Sequence, residues 1–481
     1  MLLDADQCFR ALTTRDTRFD GRFFVGVGST GIYCRPVCRA RTPLRRNCRF
    51  FPSAAAAEHA GYRPCLRCRP ELAPGQASVD ANGRLARAAA SRLEAAPEEG
   101  ESLAGLAARL GVTDRHLRRV FVDEFGVAPV AYAQTQRLLL AKRLLTDTRL
   151  PIVDVALASG FSSLRRFNHL FRQRYRLTPS ALRTQAPVTM PPDRLVFDLA
   201  YRPPYDWDRM LAFLERRAVA GVEVVAGPRY RRTVHLPGAG VRGWLEVTRT
   251  PRRDALRVTL SASLTRTVPA VLARVKTLFD LECRPDELTA ALGPLADARP
   301  GLRLPGAMDG FEIAVRAVLG QQVTVRAATT LAGRFAQAFG TPINTPHSGL
   351  DRLFPAPHTI AALAPDAIAA LGIIGARARA IHGLASALAD GALRLEPDAD
   401  VAGTVEALQR MPGIGPWTAH YIAMRALAWP DAFPHPDVAV LKALGTRQAR
   451  QALRAAEAWR PFRAYAVLHL WSTLESKGAG R

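Results

Sequence analysis

Four cysteines in two close pairs, Cys34-x3-Cys38 and Cys65-x2-Cys68, have the clearest capacity for chemistry in this sequence, and 26 residues separate the pairs. Two such pairs joined by a loop are how one chain folds four thiolates around a tetrahedral Zn2+. The metal would also stabilise a segment too short to bury much core. Such a site can be purely structural. It can equally hold a nucleophile, because zinc keeps a thiol deprotonated at neutral pH and the thiolate is the reactive form. Spacing leaves both readings open. Cys8, Cys48 and Cys283 make the total odd, which argues against a disulfide framework. Cys48 reads as a small buried residue, since free cysteine is usually buried.

A second centre lies towards the other end. In LQRMPGIGPWTAHY, residues 408–421, Pro-Gly-Ile-Gly reads as a tight turn between two helices. Its glycines let backbone N–H groups approach a phosphate beside a helix N-terminus. Gly413, Ile414 and Gly415 are therefore candidate contacts to a DNA backbone. Phosphate contacts position a protein without specifying a chemistry, so the turn alone fits plain DNA binding. Downstream, DAFPHPDVAV (431–440) carries Asp431 and Asp437 among prolines, where an aspartate commonly caps a turn or helix.

Other elements must position these residues. LAGLAARLGVTDRHLRRVFVDEFG (103–126) has helical apolar spacing, a turn at Gly111 and an N-cap candidate at Thr113, followed by Arg115, His116, Arg118 and Arg119. VDVALASGFSSLRRFNHLFRQRYRLTPSALR (153–183) repeats the plan, with a turn at Gly160 and then Arg165, Arg166, Asn168 and His169. The second helix of each unit would lie in the major groove of DNA. A helical bundle with charged outer faces is the plainer alternative. Breaks occur at 69–80, where Pro and Gly interrupt helix and strand alike, and at the proline-rich 185–193. VEVVAG, WLEVTRT and DALRVTLSAS alternate like strands. TVPAVLARVKTLFDL reads as an amphipathic helix with Leu272, Val275, Leu278 and Phe279 on one face. Helical periodicity dominates from about Pro305 onward. Four modules are expected, at 1–75, 80–184, 193–302 and 303–478.

The net charge of +24 on 481 residues comes almost entirely from arginine: only Lys142, Lys276, Lys442 and Lys477 are lysines among 66 basic residues. A polyanion is the natural partner of such a surface. No run of about 18 apolar residues occurs, so no membrane span is expected. The N-terminal MLLDADQCFR does not read as a secretory signal, which points to the cytoplasm.

Three resemblances sharpen these readings. FFVGVGSTGIYCRPVCRAR, NCRFF and HAGYRPCLRCRPE, within residues 5–72, resemble the N-terminal domain of the bacterial adaptive-response regulator Ada. The resemblance implies one Zn2+, structural and catalytic, on Cys34, Cys38, Cys65 and Cys68, with Cys34 taking a methyl group from a DNA methylphosphotriester. Methylation would change the formal charge of the site from −2 to −1, weakening its repulsion of phosphates. The paired helical units, with GFSS…F…F…TPS, resemble the AraC-type DNA-binding domain, which implies promoter DNA and RNA polymerase as partners.

From about 193 to 475 the chain resembles 3-methyladenine DNA glycosylase II, of the helix-hairpin-helix superfamily. YRPPYDWDRMLAFLERRAV (201–219), ALGPLADARPGLRLPGAMDGFE (291–312), AVLGQQVTVRAA (317–328) and WRPFRAYAVLHLWS (459–472) carry the match together with the hairpin. It implies a monofunctional hydrolase that flips an alkylated purine out of duplex DNA. Asp437 would be its catalytic carboxylate, and Trp417, Tyr421 and Trp471 would line the base pocket, where aromatic faces attract a cationic base. The three aromatics would otherwise be core residues at helical spacing. Gln322 stands where the family has a DNA-wedging leucine, so the apolar wedge is lost there. The hairpin holds no lysine for Schiff-base chemistry, although Lys442 lies near Asp437 in sequence. The Pro-Cys-His-Arg site of full-length Ada-type proteins is absent.

The fold class expected is therefore multidomain and mainly α: a small zinc domain, an AraC-type double helix-turn-helix, an α+β domain and an all-α helix-hairpin-helix glycosylase domain. Two other readings use the same residues. One is a damage-sensing regulator whose C-terminal half only binds DNA. The other is a glycosylase with a zinc-stabilised targeting module and no methyl transfer.

Overall fold

The structure, a computed structural model, describes residues 4–74, 81–95, 102–184, 193–236, 240–251 and 253–478. The break expected at 69–80 is described only as far as Pro74, and that at 185–193 only at Asp193. The chain forms two compact units. One comprises Met1–Pro203, Thr250–Lys276 and Leu281–Arg284; the other comprises Pro204–Arg249, Thr277–Asp280 and Pro285–Arg481. Among the described residues no helix is long and apolar enough to cross a membrane.

The first unit opens with α1 (Ala5–Thr14), then β1 (Phe24–Val27), β2 (Ile32–Cys34), β3 (Cys48–Phe51), α2 (Ala54–His59) and β4 (Arg63–Pro64). The strands form one sheet in the order β3-β1-β2-β4. Seven helices follow: α3 (Ala81–Ala95), α4 (Leu103–Arg109), α5 (Asp114–Phe125), α6 (Pro129–Asp147), α7 (Ile152–Ala158), α8 (Leu164–Tyr175) and α9 (Pro179–Thr184). Side chains set their ends. Thr113 and Ser163 cap α5 and α8 by accepting the N–H groups of His116 and Arg166, each at 3.3 Å. Gly111 and Gly160 make the two turns with φ of +70° and +79°, a region that favours glycine. The double helix-turn-helix with α6 as its connecting helix is thus present.

The strand-bearing segment and the helices share one apolar core. Phe24, Tyr33, Phe51 and Ala54 to Ala57 pack in the same cluster as Leu106, Leu117, Phe121, Phe125 and Tyr132. Ser53 fastens the two parts: its Oγ caps α2 and donates to the Phe125 carbonyl at 2.6 Å. The segments 1–75 and 80–184 thus share one apolar cluster, beside two smaller clusters formed within the first alone.

A buried carboxylate sits in this shared region. Glu58 of α2 is 2% exposed. Its Oε1 accepts from Tyr33 (3.1 Å) and Tyr175 (3.5 Å), and its Oε2 from Thr135 (3.4 Å). Arg174 donates to its backbone carbonyl at 3.0 Å. Burial pushes its pKa from the ordinary 4.5 up to about 7, against the opposing pull of Tyr33, Arg174 and Lys142. The folded chain therefore keeps a proton that the unfolded chain has already lost between those pH values. Stability should fall as pH rises from about 4.5 to about 7. Denaturant titrations of zinc-loaded protein should show wild type losing on the order of 3 kcal/mol relative to Glu58→Gln between pH 5 and pH 8. Parallel pH profiles for the two proteins would contradict this.

Also in the first unit, β5 (Arg194–Ala200) pairs antiparallel with β9 (Ala255–Ser261), Phe197 facing Val258, and α11 (Val268–Leu278) begins there. The α11 face expected from periodicity is buried at Leu272, Val275, Leu278 and Phe279. The second unit contains α10 (Trp207–Glu215) and the meander β6 (Glu223–Ala226), β7 (Arg229–Leu236) and β8 (Val241–Arg249). Helices then dominate, with α12 (Pro285–Leu292), α13 (Pro294–Asp297), α14 (Gly310–Leu319), α15 (Val325–Phe339), α16 (Pro357–Ala361), α17 (Pro365–Ala369) and α18 (Gly375–Ala389). They continue through α19 (Val401–Arg410), α20 (Pro416–Arg425), α21 (Val438–Ala443), α22 (Ala449–Ala456) and α23 (Arg463–Gly478). β7 was not anticipated, because RYRRTVHL carries an arginine, Arg232, at an inward position. Buried Arg232 is accommodated by ion pairs with the equally buried Glu223 (3.4 Å) and Glu312 (2.6 Å).

Candidate functional site

Strand register assembles the cysteine cluster. β2 and β4 run parallel with Tyr33 opposite Pro64, and Cys65 donates its N–H to the Tyr33 carbonyl at 3.0 Å. The next residues along, Cys34 and Cys65, therefore emerge side by side. A turn closed by Cys38 N–H on the Arg35 carbonyl (3.1 Å) brings Cys38 back. The sulfurs of Cys34, Cys38, Cys65 and Cys68 all lie within 4.8 Å of one another, the first three buried and Cys68 half-buried. Four sulfurs each about 2.3 Å from a common centre stand about 3.8 Å apart, so the set fits one tetrahedral Zn2+. Four soft thiolates also select zinc over hard cations.

Arg35 braces the cluster. Its N–H donates to Cys68 Sγ at 3.4 Å, its Nη1 donates to the Cys68 carbonyl at 3.2 Å, and its guanidinium pairs with buried Asp20. Cys48 is outside the cluster, but it is half-buried rather than buried, with Sγ donating to the Leu44 carbonyl at 3.4 Å. It begins β3, an edge strand with one uncovered side.

The candidate base-reading side chains follow the two caps. Arg115, Arg118, Arg119, Arg165, Arg166 and His169 are exposed, whereas His116 and Asn168 are half-buried. Arg119 lies 3.1 Å from His116 Nδ1, one turn away on α5. Leu117, Phe121, Phe167 and Phe171 on the opposite faces are fully buried, so packing fixes which face turns outward.

In the second unit a large cavity, about 1490 Å³, is lined by Asp437, Trp417, Tyr421 and Trp471 together with Gln321 and Gln322. Asp437 caps a helix and also lines the cavity. As N-cap of α21 its Oδ1 accepts the Val440 N–H at 2.9 Å. Two indoles also hold it: Trp417 Nε1 donates to Oδ2 at 2.8 Å and Trp471 Nε1 donates to Oδ1 at 3.0 Å. Three N–H donors from three helices thus fix one half-buried carboxylate at the cavity wall.

The aromatic set is likewise ordered. Trp417 and Tyr421, one turn apart on α20, stack at 5.2 Å with planes 13° apart, and Tyr421 lies 6.5 Å from Trp471. Arg425 donates to Tyr421 Oη at 2.9 Å and to the carbonyls of Pro305 and Gly306. Burial alone would raise the Tyr421 phenol, but Arg425, Arg217 and Arg316 hold its pKa below the usual value.

The hairpin between α19 and α20 also differs residue by residue. Gly413 has φ of +83°, and a Cβ there would meet Ala380 Cβ at 3.1 Å, so the turn needs glycine. Gly415 is exposed at the N-cap of α20, whereas the Ile414 side chain is 4% exposed and anchors the turn. The Ile414 N–H is already donated to the Met411 carbonyl at 3.1 Å, so of the three candidate phosphate contacts the exposed ones are Gly413 and Gly415. Gln321 clamps the facing loop, its Nε2 donating to the Gly413 carbonyl and to Thr418 Oγ1, both at 2.9 Å. Gln322 is exposed with φ of +52°. Lys442 is exposed in the last turn of α21 and is not among the cavity-lining residues.

Sequence reasoning missed Arg425, Gln321 and the indole N–H contacts to Asp437. The i, i+4 spacing of Trp417, Tyr421 and Arg425 was the available signal.

Comparison with known proteins covers nearly the whole chain. Residues 7–71 match the metal-binding domain of Ada, 106–185 a helix-turn-helix domain, 196–309 the AlkA N-terminal domain, and 315–459 the HhH-GPD superfamily of base excision DNA repair proteins. The probable bifunctional transcriptional activator/DNA repair enzyme AlkA of Mycobacterium tuberculosis is 40% identical over 488 aligned positions, spanning 98% of this chain and 97% of that protein. DNA-3-methyladenine glycosylase 2 of Escherichia coli is 41% identical over 58% of this chain and 97% of its own length. The bifunctional transcriptional activator/DNA repair enzyme Ada of Escherichia coli is 38% identical over 30% of this chain and 38% of its own.

Proposed function

The chain belongs to the family of AlkA-type bifunctional transcriptional activator/DNA repair enzymes, and on that premise we propose that it performs two separate repair reactions on alkylated DNA. The observation that carries the proposal is the Asp437 carboxylate, held by the N–H groups of Trp417 and Trp471 beside a stacked aromatic pair in one cavity.

The glycosylase reaction is hydrolysis of the bond between C1′ and an alkylated purine such as 3-methyladenine. Alkylation at N3 or N7 makes the base cationic, hence already a good leaving group. The Trp417–Tyr421 stack offers it a π face. The bond's electron pair leaves with the base. Asp437, fixed as an oriented negative charge, stabilises the positive charge that develops on the sugar, and water completes the substitution at C1′. Its N–H donors pre-set that orientation, so little reorganisation accompanies reaction. Gly413, Gly415 and Gln322 would contact the DNA.

The second reaction is stoichiometric. When bound at the four cysteines, Zn2+ keeps the sulfurs in the thiolate form. Cys34 would attack the methyl carbon of a methylphosphotriester, the C–O bond would break, and a phosphodiester anion would leave. Cys34 is taken as the acceptor because its segment resembles the metal-binding domain of Ada. Among the other three sulfurs, Cys68 Sγ accepts the Arg35 N–H at 3.4 Å, and such a bond damps a sulfur's basicity and with it its nucleophilicity. The exposed arginines of α5 and α8 would place the same unit on promoter DNA, with RNA polymerase as the further partner. The four sequence modules, 1–75, 80–184, 193–302 and 303–478, are our proposed functional divisions.

The glycosylase reading is tested by chromatography of methylated duplex DNA incubated with the protein. Free 3-methyladenine should appear, and borohydride should trap no covalent complex with an abasic-site oligonucleotide. No free base, or a crosslink lost in Lys442→Ala, would overturn the corresponding part of the reading.

A further inference from the structure

A DNA phosphodiester carries a negative charge, whereas a methylphosphotriester is neutral and adds a methyl group. A site that accepts this methyl must pick out the neutral group from a backbone made almost wholly of anions. Arginines cannot make that distinction, since they attract every diester. Yet the loops that carry the cysteine cluster expose Arg39, Arg41, Arg46 and Arg67. Another feature of the same loops has to favour the neutral phosphate.

Among the described residues 4–74, the exposed large hydrophobic side chains are Leu44 (60%) and Leu66 (43%). Lone exposed aliphatics are ordinary on a protein surface. These two, however, both stand beside the four sulfurs. Leu66 directly follows Cys65, inside the Cys65–Cys68 turn that supplies two of those sulfurs. Leu44 is linked to them through Cys48. The Cys48 thiol donates to the Leu44 carbonyl at 3.4 Å, and Cys48 packs against the core formed by Leu12, Val25, Cys34, Cys38 and Cys65.

Both positions are held in place. The Leu44 carbonyl also accepts the Asn47 N–H at 2.9 Å, closing a single 3-10 turn over Arg45–Asn47. Arg45, the next residue, is drawn back towards the sheet, paired with Asp6 at 3.2 Å and lying over the rings of Phe9 and Phe50. The charge adjacent to Leu44 is thus already matched. At the other position, the Cys65 N–H on the Tyr33 carbonyl fixes the start of the turn that bears Leu66.

We propose that Leu44 and Leu66 form an apolar lip that selects the neutral methylphosphotriester over the anionic diesters beside it. An anionic phosphate pressed against aliphatic carbon loses hydration without gaining a partner, which costs far more for a charge than for a neutral ester. The methyl group instead gains apolar contact. The lip adds to the repulsion of diesters by the thiolate cluster, while the exposed arginines hold the flanking diesters. The inference rests on the methyl-acceptor reading of Cys34.

The test uses the full, zinc-loaded chain and a duplex oligonucleotide with a single methylphosphotriester. Methyl uptake is followed by intact mass, with unmodified duplex as competitor. In Leu66→Gln the second-order rate of uptake should fall by about tenfold, in line with losing the burial of one aliphatic side chain. Unmodified duplex should also compete more strongly than it does against wild type, because the diester then meets a polar group. Leu66→Met should keep most of the wild-type rate, Leu44→Gln should repeat the loss, and all three should hold zinc as wild type does. An unchanged rate in either glutamine variant, or a slower rate with unchanged competition, would overturn the lip while leaving Cys34 as the acceptor. So would a loss of rate that tracks loss of zinc. A wild type that takes up no methyl would overturn the acceptor reading and this inference with it.

Discussion

Asp437→Asn is expected to lower base release from methylated duplex DNA by about 10³-fold, the scale set by losing one oriented charged group at a reacting centre. The substitution removes the negative charge with almost no change of volume. The asparagine Oδ1 can still accept from Val440 and Trp471, so α21 keeps its cap. The amide nitrogen, however, would face Trp417 Nε1, setting donor against donor where Asp437 accepts at 2.8 Å. DNA affinity should change little, because the hairpin and the arginines are untouched. Rates of base release and equilibrium binding, measured on the same oligonucleotide, separate the two effects. Retained release by a folded Asp437→Asn would remove Asp437 from the chemistry and leave it as a helix cap.

Cys34→Ser is expected to abolish methyl uptake by the chain, from one methyl per molecule to none, as read by intact mass after exposure to methylated DNA. A serine hydroxyl at neutral pH has neither the ionisation nor the nucleophilicity of a thiolate. Cys48→Ser is the control, since Cys48 lies on the edge strand outside the four-sulfur cluster. It should accept methyl as wild type does. Zinc content must be measured alongside, because Cys34, Cys38 and Cys65 belong to one small buried cluster with Leu12 and Val25. Losing the metal would unfold that cluster and mimic the loss of a nucleophile. Zinc-loaded Cys34→Ser that still gains a methyl on another cysteine would reassign the acceptor.

Much of this was readable in the sequence because it depends on short spacing. The cysteine pairs, the glycine turns at 111 and 160, the cap at Thr113 and the α11 face are all set by residues within a few positions of each other. What depended on distant partners was not readable. The aspartate near prolines allowed a cap or a catalytic group, and only the arrival of Trp417 and Trp471 from two other helices shows one residue serving as cap and as an oriented carboxylate in the cavity wall. Trp417 and Trp471 themselves were read for their π faces, whereas their N–H groups are what hold Asp437. β7 was hidden because its buried arginine is neutralised by Glu223 and by Glu312, the latter 80 residues away. Glu58 was hidden for the same reason, its partners Tyr33, Thr135 and Tyr175 lying in three separate elements.

The central claim is that one chain carries two independent repair chemistries. The most direct measurement is a single incubation of methylated duplex DNA with wild type, Asp437→Asn or Cys34→Ser, counting both free 3-methyladenine and methyl groups on the protein. Wild type should yield both products, Asp437→Asn only the methylated protein, and Cys34→Ser only the free base. Loss of both products in either variant would contradict independence, and a wild type yielding only one of them would remove the other chemistry from this chain.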